Sequence, residues 1–566
     1  MKHILQKTAI FAIAGAISAT AALPTAKQVQ ANMGMGFNIG NSMEVPNNPT
    51  AWGNPFPTQA LLDSVKAAGF NTVRIPCAWD SHTSGGKVTE TWLDSVKTVV
   101  DYAMRAGLYT ILNIHHEGEG GWFQSNIGTS VDNNIDNKMK TYWTQIANKF
   151  KNYNERLIFA GANEPGPNVK TWTAQHVSTL MHYYQTFIDA VRATGGNNAT
   201  RTLIIQGLNT DIDKSVANAP VSTFPKDKVT GYLMFEVHYY DPYQYTLMTS
   251  QQDWGASEPI LPQYYYGNYQ KSSEPKRNAG YNAWTSSIDS KIAGIGHPQE
   301  QFAKMKTNYV DKGYPVIVGE FGANVRSPEL SGNDLNLHKQ GRVQWHKDVV
   351  SAAKQYGLTP ILWDMGNESN SGYDNMAYIR RQSSPVGKVL ETDVINAMRS
   401  VYNLGNYNNT GVTHVEDFIT GGSENPATSS SAAPASSSAI THTSSSTIAP
   451  ASSSNIAPTS SSAIAPASSS NIAPTSSSFT APCDAMIPEC GWTDALPTVT
   501  ASTQVKFYRE GNTLRSNATI RLFDLNGNMV RVAGARIGHS EMDLRGLRQG
   551  MYVARSGAQT LRVQVK

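Results

Sequence analysis

Eight short apolar, β-rich runs recur along the first 400 residues, and helical patterns separate them. The runs are GFNIG (36–40), TVRIPC (72–77), YTILNIH (109–115), LIFAGANE (157–164), TLIIQG (202–207), YLMFEVHYY (232–240), PVIVGEFG (315–322) and TPILWDMG (359–366). Between them lie stretches such as PTQALLDSVKAAG, where Leu61, Leu62, Val65 and Ala68 follow helical spacing. Gly69, Gly107, Gly313 and Gly357 stand where helices should stop. Continuous apolar strands alternating with helices imply a parallel sheet covered on both faces. Eight such units in one body predict an α/β fold, a (β/α)8 TIM barrel over residues 33–404. A doubly wound open sheet is the alternative. It would need a glycine loop that opens a helix, and GMGFNIGN does not open one.

The rest of the 566 residues divides by composition. Residues 1–22 carry Lys2 and Lys7, then an apolar run, then Ala19 and Ala21 as a small-residue cleavage pattern. That is the form of a secretory signal peptide, too short to span a bilayer. A secreted or cell-surface protein is therefore expected. Residues 422–478 are almost wholly Ser, Ala, Thr and Pro, and SSSNIAPTSSS occurs twice, at 452–462 and 468–478. With so little apolar surface, this segment reads as a linker that separates two bodies. Residues 483–566 form the second body. Alternation in TIRLF and MYVAR, with Asn526-Gly527 as a turn, predicts a small all-β module. Residues 501–566 hold 11 Lys and Arg against 4 Asp and Glu, whereas the whole chain nets only +3. A balance that small predicts no nucleic-acid partner, and a monomer is expected. Of three cysteines, Cys77 reads as a core residue, while Cys483 and Cys490 could pair in an oxidising compartment.

In a TIM barrel the site lies at the C-terminal ends of the strands. The polar and aromatic residues there are Asn38, Asn41, Arg74, His115, His116, Asn163, Glu164, His238, Tyr240, Glu320, Trp363 and Asp364. Glu164 and Glu320 each follow an apolar run, so both should be partly desolvated. Two neighbouring carboxylates in a dry cleft do not ionise equally, which yields an acid and a nucleophile from one residue type. Retaining glycoside hydrolysis needs that pair. The other reading of either Glu is a structural ion pair. Arg74 can hold a carboxylate ionised. His115 and His116 are adjacent, so on a strand only one would face the cleft; His238 and Tyr240, two apart, share a face. The HHE sequence lacks the HExxH spacing on a helix, so no metal and no cofactor are expected. Trp363 can stack on a sugar ring. Trp52, Trp79, Trp122 and Trp254 fall in predicted loops that could extend such a platform.

Residues 33–400 resemble glycoside hydrolase family 5, in particular its endoglucanase-type subfamily with broad β-glucan activity. The likeness rests on GFNIGNSME (36–44), AWGNP (51–55), GFNTVRIPCAW (69–79), LNIHHE (112–117), WTQIANKF (143–150), LIFAGANEP (157–165), VRATGGNNATR (191–201), HYYDPY (238–243), PVIVGEFGA (315–323) and LWDMG (362–366). The resemblance implies a retaining endo-β-1,4-glucanase acting on β-glucan polysaccharide, with Glu164 as acid/base and Glu320 as nucleophile. It also implies that Asn163 binds the hydroxyl beside the anomeric carbon, that Arg74 and Tyr240 orient Glu320, and that His238 neighbours Glu164. His115 or His116 would hold the sugar above Trp363. Two departures bear on subsite detail: Asp364-Met365 where similar enzymes often have Asp-Asn, and the small Ala162 before the Asn-Glu pair. Xyloglucan, mixed-linkage glucan (as in lichenases), xylan and mannan remain alternative substrates, and a non-catalytic glycan-binding barrel is the alternative of another class. The C-terminal module resembles the sorting domain of type IX secretion substrates through LFDLNGNMV, LRGLRQGMYVAR and the terminal Lys. That likeness implies export machinery as a partner. A carbohydrate-binding module is the alternative, but Phe507 and Tyr508 would face opposite sides of a strand.

Overall fold

The computed structural model describes residues 22–117, 121–167, 171–252, 259–279, 295–327, 329–368 and 375–420, and strand segments between 507 and 565. The predicted signal peptide, the linker, Cys483 and Cys490 lie outside the described residues, apart from Ala22.

All eight expected strands form. They are β1 (Gly36–Asn38), β2 (Thr72–Ile75), β3 (Tyr109–Asn113), β4 (Leu157–Ala160), β5 (Leu203–Gln206), β6 (Leu233–Tyr239), β7 (Val316–Phe321) and β8 (Leu358–Leu362). Each pairs in parallel with its sequence neighbours, and Gly36 of β1 stands opposite both Thr72 of β2 and Ile361 of β8, which closes the barrel. Most strands are shorter than their apolar runs. The ladder stops where the chain turns into the mouth, so the last residues of each run become site rather than sheet.

The helices packed outside include α2 (Gln59–Ala67), α3 (Glu90–Arg105), α4 (Asn133–Lys149), α5 (Ala174–Ala193), α6 (Ile212–Asn218), α7 (His297–Asn308), α8 (Gly332–Tyr356) and α9 (Thr392–Val401). Side-chain caps start several of them: Thr58 accepts from the Leu61 amide and Asp132 from that of Asn134. Gly69, Gly107, Gly313 and Gly357 all have positive φ, as helix-stop glycines should.

The floor of the barrel holds Ile111, Ile158, Ala160, Ile204, Met234, Ile317 and Ile361, all wholly buried. An N-terminal helix, α1 (Ala26–Met33), plugs this floor with Ala26, Val29 and Met33. It precedes residue 33, where the barrel was expected to begin. The far end also extends beyond residue 404: the Asn154 amide donates to the Phe418 carbonyl, and the Thr420 amide to that of Asn152. No helix among the described residues is long and apolar enough to cross a membrane.

The C-terminal module is all-β. One antiparallel sheet pairs β9 (Phe507–Glu510), β10 (Thr513–Ser516) and β13 (Ser540–Asp543); the other orders β12 (Met529–Ala533), β11 (Ile520–Phe523), β14 (Gly550–Ser556) and β15 (Gln559–Val565). Phe507 and Tyr552 are buried in its core with Leu514, Ile520 and Leu522, whereas Tyr508 is half-exposed.

Candidate active site

Arg74 is the hub of the mouth. It sits in β2, wholly buried, and its guanidinium spans three strands. Nη1 donates to Glu320 Oε1 at 2.9 Å and to Asn38 Oδ1 at 3.0 Å, and Nη2 donates to Asn163 Oδ1 at 2.6 Å. Its Nε lies 3.1 Å from Glu236 Oε1, close enough for an ion pair but off the hydrogen-bond line.

Glu320 reaches the mouth only because β7 breaks its alternation. Ile317 points into the floor, so strict period two would send Glu320 outward. The register shifts after Val318 against both neighbouring strands, and that bulge turns Glu320 inward and Phe321 outward against Trp345. The Gly319 carbonyl accepts from Asn38 Nδ2 at 2.9 Å. Both oxygens of Glu320 are held, Oε1 by Arg74 and Oε2 by the Tyr240 hydroxyl at 3.0 Å. Burial pushes the Glu320 carboxyl above its usual 4.5, the charge of Glu164 adds to that, and His238 and Arg74 pull against it.

Glu164 follows β4 with a φ of 44°, a left-handed backbone uncommon for a non-glycine residue. Such strain gathers at functional sites. Its side chain keeps 14% of its surface exposed, and Oε1 is 2.7 Å from His238 Nδ1. One oxygen of Glu164, one ring nitrogen of His238 and one oxygen of Glu320 lie within 4.8 Å of one another. Three such groups could in principle hold a cation. Here both ring nitrogens of His238 face carboxylates, Nδ1 toward Glu164 and Nε2 toward Glu236 at 3.2 Å. That is the bonding of an imidazolium donor rather than of a metal ligand. Burial alone would lower the His238 pKa, but Glu320, Glu164 and Glu236 together raise it to about 9.

His115 lies just past β3. Its ring stacks parallel to Trp363, with centroids 6.0 Å apart. Nδ1 lies 3.0 Å from Asn113 Nδ2 and accepts from it, which leaves the ring proton on Nε2. Burial, with the charges of His116, Arg74 and His238, holds this imidazole well below 6.5, hence neutral. The alternation expected for His115 and His116 does not apply, because the strand ends at Asn113; the two rings stand only 4.6 Å apart. Trp363 stands over Gly40, where a Cβ would come within 2.7 Å of the indole.

The structure thus brings Asn38, Arg74, Asn163, Glu164, His238, Tyr240 and Glu320 into one bonded cluster, with His115 stacked on Trp363 beside it and His116 tilted against His115. Other members of the polar set face elsewhere. Asp364 is wholly buried and binds Arg381 and the amides of Gly366 and Tyr378, so it anchors the loop after β8. The Asn41 amide donates to Glu44. Trp79 belongs to the core, its indole donating to the Asn113 carbonyl at 2.8 Å. Trp122 is half-buried against Tyr142, Trp52 stays exposed, and Trp254 lies outside the described residues. Glu236 was not anticipated. Its sequence signal is the spacing: Glu236, His238 and Tyr240 stand two apart along one run, the period that gives His238 and Tyr240 a common face.

Comparison with known proteins gives the family. Residues 36–369 match the family model described as cellulase (glycosyl hydrolase family 5). An endoglucanase A from Paenibacillus barcinonensis is 33% identical over 395 residues, covering 66% of this chain and 89% of that one. Among solved structures, a xyloglucan-specific β-1,4-glucanase from a ruminal metagenomic library, in complex with XXLG, aligns with a TM-score of 0.57 at 32% identity, over 69% of this chain and 100% of that one. A GH5-4 broad specificity endoglucanase from Bacteroides salanitronis aligns with a TM-score of 0.54 at 32% identity, over 66% and 94% respectively. The chain is a glycoside hydrolase and belongs to the cellulase family, glycoside hydrolase family 5.

Proposed function

We propose that the protein is a retaining endo-β-1,4-glucanase, with Glu164 as acid/base and Glu320 as nucleophile. The observation that carries this is the close approach of the two carboxylates across His238. Retaining enzymes hold their carboxyl groups about 5–5.5 Å apart, and inverting enzymes leave about 6.5–9.5 Å for a water. The roles follow from the bonds. Glu320 receives a donor on each oxygen, which favours the anion that must attack the anomeric carbon. Glu164 is the more open to solvent of the two, so it can exchange protons with the leaving oxygen and with water. Asn163, fixed by Arg74, is the donor for the hydroxyl beside the anomeric carbon. Trp363 offers its face to the sugar, and the Nε2 proton of His115 is available to a hydroxyl.

Product stereochemistry tests the mechanism. The β-anomer should appear first by proton NMR of cellooligosaccharide hydrolysis; first appearance of the α-anomer overturns it. Glu164→Ala and Glu320→Ala should each lose most activity on carboxymethylcellulose, and full activity in either sinks the assignment. A second substrate reading is xyloglucan, favoured by the solved relative that was captured with XXLG. Rates of the unaltered enzyme on carboxymethylcellulose, xyloglucan, mixed-linkage glucan, xylan and mannan decide between them.

Export is part of the same proposal. The signal pattern of residues 1–22 and the sorting-domain likeness of the basic C-terminal module support a secreted or surface-held monomer. Burial of Phe507 and Tyr552 removes two aromatics from any glycan-binding row, which favours sorting over binding. Deleting residues 501–566 should leave hydrolysis intact and change where the enzyme is found. If deletion instead weakens adsorption to insoluble cellulose, the module binds glycan.

A further inference from the structure

The mechanism so far gives Glu236 nothing to do, yet its placement is costly. It is a wholly buried carboxylate in the barrel interior, two residues before His238 on β6. A single oxygen, Oε1, lies 3.2 Å from His238 Nε2 and 3.1 Å from Arg74 Nε. The neighbouring strand leaves room for it: a Cβ on Gly319 would stand 2.0 Å from that same oxygen. Both cations of the site therefore rest on one carboxylate from below and reach the mouth carboxylates from above.

We propose that Glu236 is a positioning residue for glycosidic cleavage, which fixes His238 as a donor on both ring nitrogens and steadies Arg74 against Glu320. The proposal rests on the retaining reading above. A neutral imidazole carries one N–H and can serve only one of two facing carboxylates. With Glu236 ionised beneath it, His238 gains by keeping both protons, and its Nδ1–H points at Glu164. The Glu236 carboxyl is itself held below its usual range, since Arg74 and His238 outweigh its burial. The titratable groups around this pair are Arg74 from β2, His115 after β3, Glu164 after β4, Tyr184 from α5, Tyr240 after β6 and Glu320 from β7. Counted with the pair itself, two cations are matched against three carboxylates. Removing the charge of Glu236 leaves two for two, and the Nε2 proton of His238 then faces no anion. The alternative is that Glu236 merely neutralises buried charge, with no effect on the state of His238.

Glu236→Gln separates the two, because it keeps volume and an acceptor oxygen while removing the charge. The full-length protein with 13C-labelled histidine is titrated by NMR, and kcat and KM are measured across pH. The His238 midpoint should lie above neutrality in the unaltered enzyme and fall by at least about one pH unit in the variant. In the variant kcat should fall with KM within about twofold, and the deficit should grow toward roughly tenfold as pH rises through the lowered midpoint and His238 loses its proton. Gly319→Ala, which pushes the carboxylate aside without changing its charge, should move both readouts the same way. An unmoved His238 midpoint in folded Glu236→Gln overturns the proposal, even if activity falls, since that is the mark of a purely structural role. If neither variant folds, the unaltered enzyme decides: a His238 midpoint at or below about 6.5 overturns it. None of these outcomes depends on Glu320→Ala, whose full activity would sink the retaining reading instead.

Discussion

The two ends of this barrel are built by the same strands under opposite rules. β6 shows it in one line: Met234 lies in the apolar floor, Glu236 in the buried middle, His238 and then Tyr240 at the mouth. At the floor, isoleucines pack on the apolar face of α1, and hydrogen bonds to backbone carbonyls, the Thr72 hydroxyl to Met33 and Gln30 Nε2 to Val316, tie that helix to the strands. At the mouth, each carboxylate needs a named donor, and β7 has to break its own register to deliver one of them. Regular alternation is enough to bury apolar surface. Converging charges on one point requires exceptions: the bulge at Gly319, the left-handed Glu164, and a glycine beneath Trp363.

The comparison is most sharply tested at Arg74. Arg74→Met removes the only guanidinium shared by Glu236 and Glu320 in this network and leaves buried carboxylates without it. Breaking a buried pair from one side costs about 3–5 kcal/mol. Urea unfolding should show a loss of that size, and the folded fraction should have little activity left. A mouth that tolerates this change within about 1 kcal/mol would mean its charges are solvated rather than held.

The floor should behave differently. Met234→Ala should cost about 2–5 kcal/mol through lost burial and a cavity. Its kcat per folded molecule should stay within about twofold, because no catalytic group touches it. A large fall in kcat at constant stability would show that floor and mouth are mechanically coupled through β6.

The same division explains what could be seen in the sequence. Floor and fold were legible because burial repeats: eight apolar runs announced eight strands, and every one formed. The pair His238 and Tyr240 was legible because it obeys period two. Legibility failed where local backbone departs from the period. Strand alternation puts His115 and His116 on opposite faces, but the strand ends at Asn113. The bulge in PVIVGEFG left no mark beyond its glycine, so the inward turn of Glu320 came from its chemistry and not from its spacing. Glu236 was lost inside an apolar run, where a lone acid reads as noise until its two cations are placed in space.

pH separates the two ends a third way. The titratable group packed against the floor is Tyr109, whose phenol burial raises above its usual 10, whereas His238 is raised to about 9 from its usual 6.5. A raised histidine contributes stability that is fully present below about pH 6.5 and lost as pH climbs through about 9. Over that window the native state binds more protons than the unfolded state, so unfolding free energy should fall by up to about 1.4 kcal/mol per pH unit from this group. Denaturant midpoints between pH 6 and 10 measure it. Glu236→Gln should flatten the slope, and Met234→Ala should shift the curve down without changing its shape.

The smallest expected effect lies at the plug beneath the floor. Thr25 caps α1: its hydroxyl accepts from the Gln28 amide, and the Gln28 side chain accepts from the Thr25 amide at 2.9 Å. This reciprocal box fixes the first turn of a helix of only eight residues, too short to persist without its packing. Thr25→Ala should cost about 1 kcal/mol of stability, visible as a small shift in denaturant midpoint, with hydrolysis unchanged. The site lies at the other end of the strands from this cap, and the polar contacts of α1 to β7 and β2, from Gln30 Nε2 to the Val316 carbonyl and from the Thr72 hydroxyl to the Met33 carbonyl, stay at the floor end. If Thr25→Ala instead lowers kcat, α1 does more than close the barrel, and the separation of a passive floor from an active mouth fails at its simplest point.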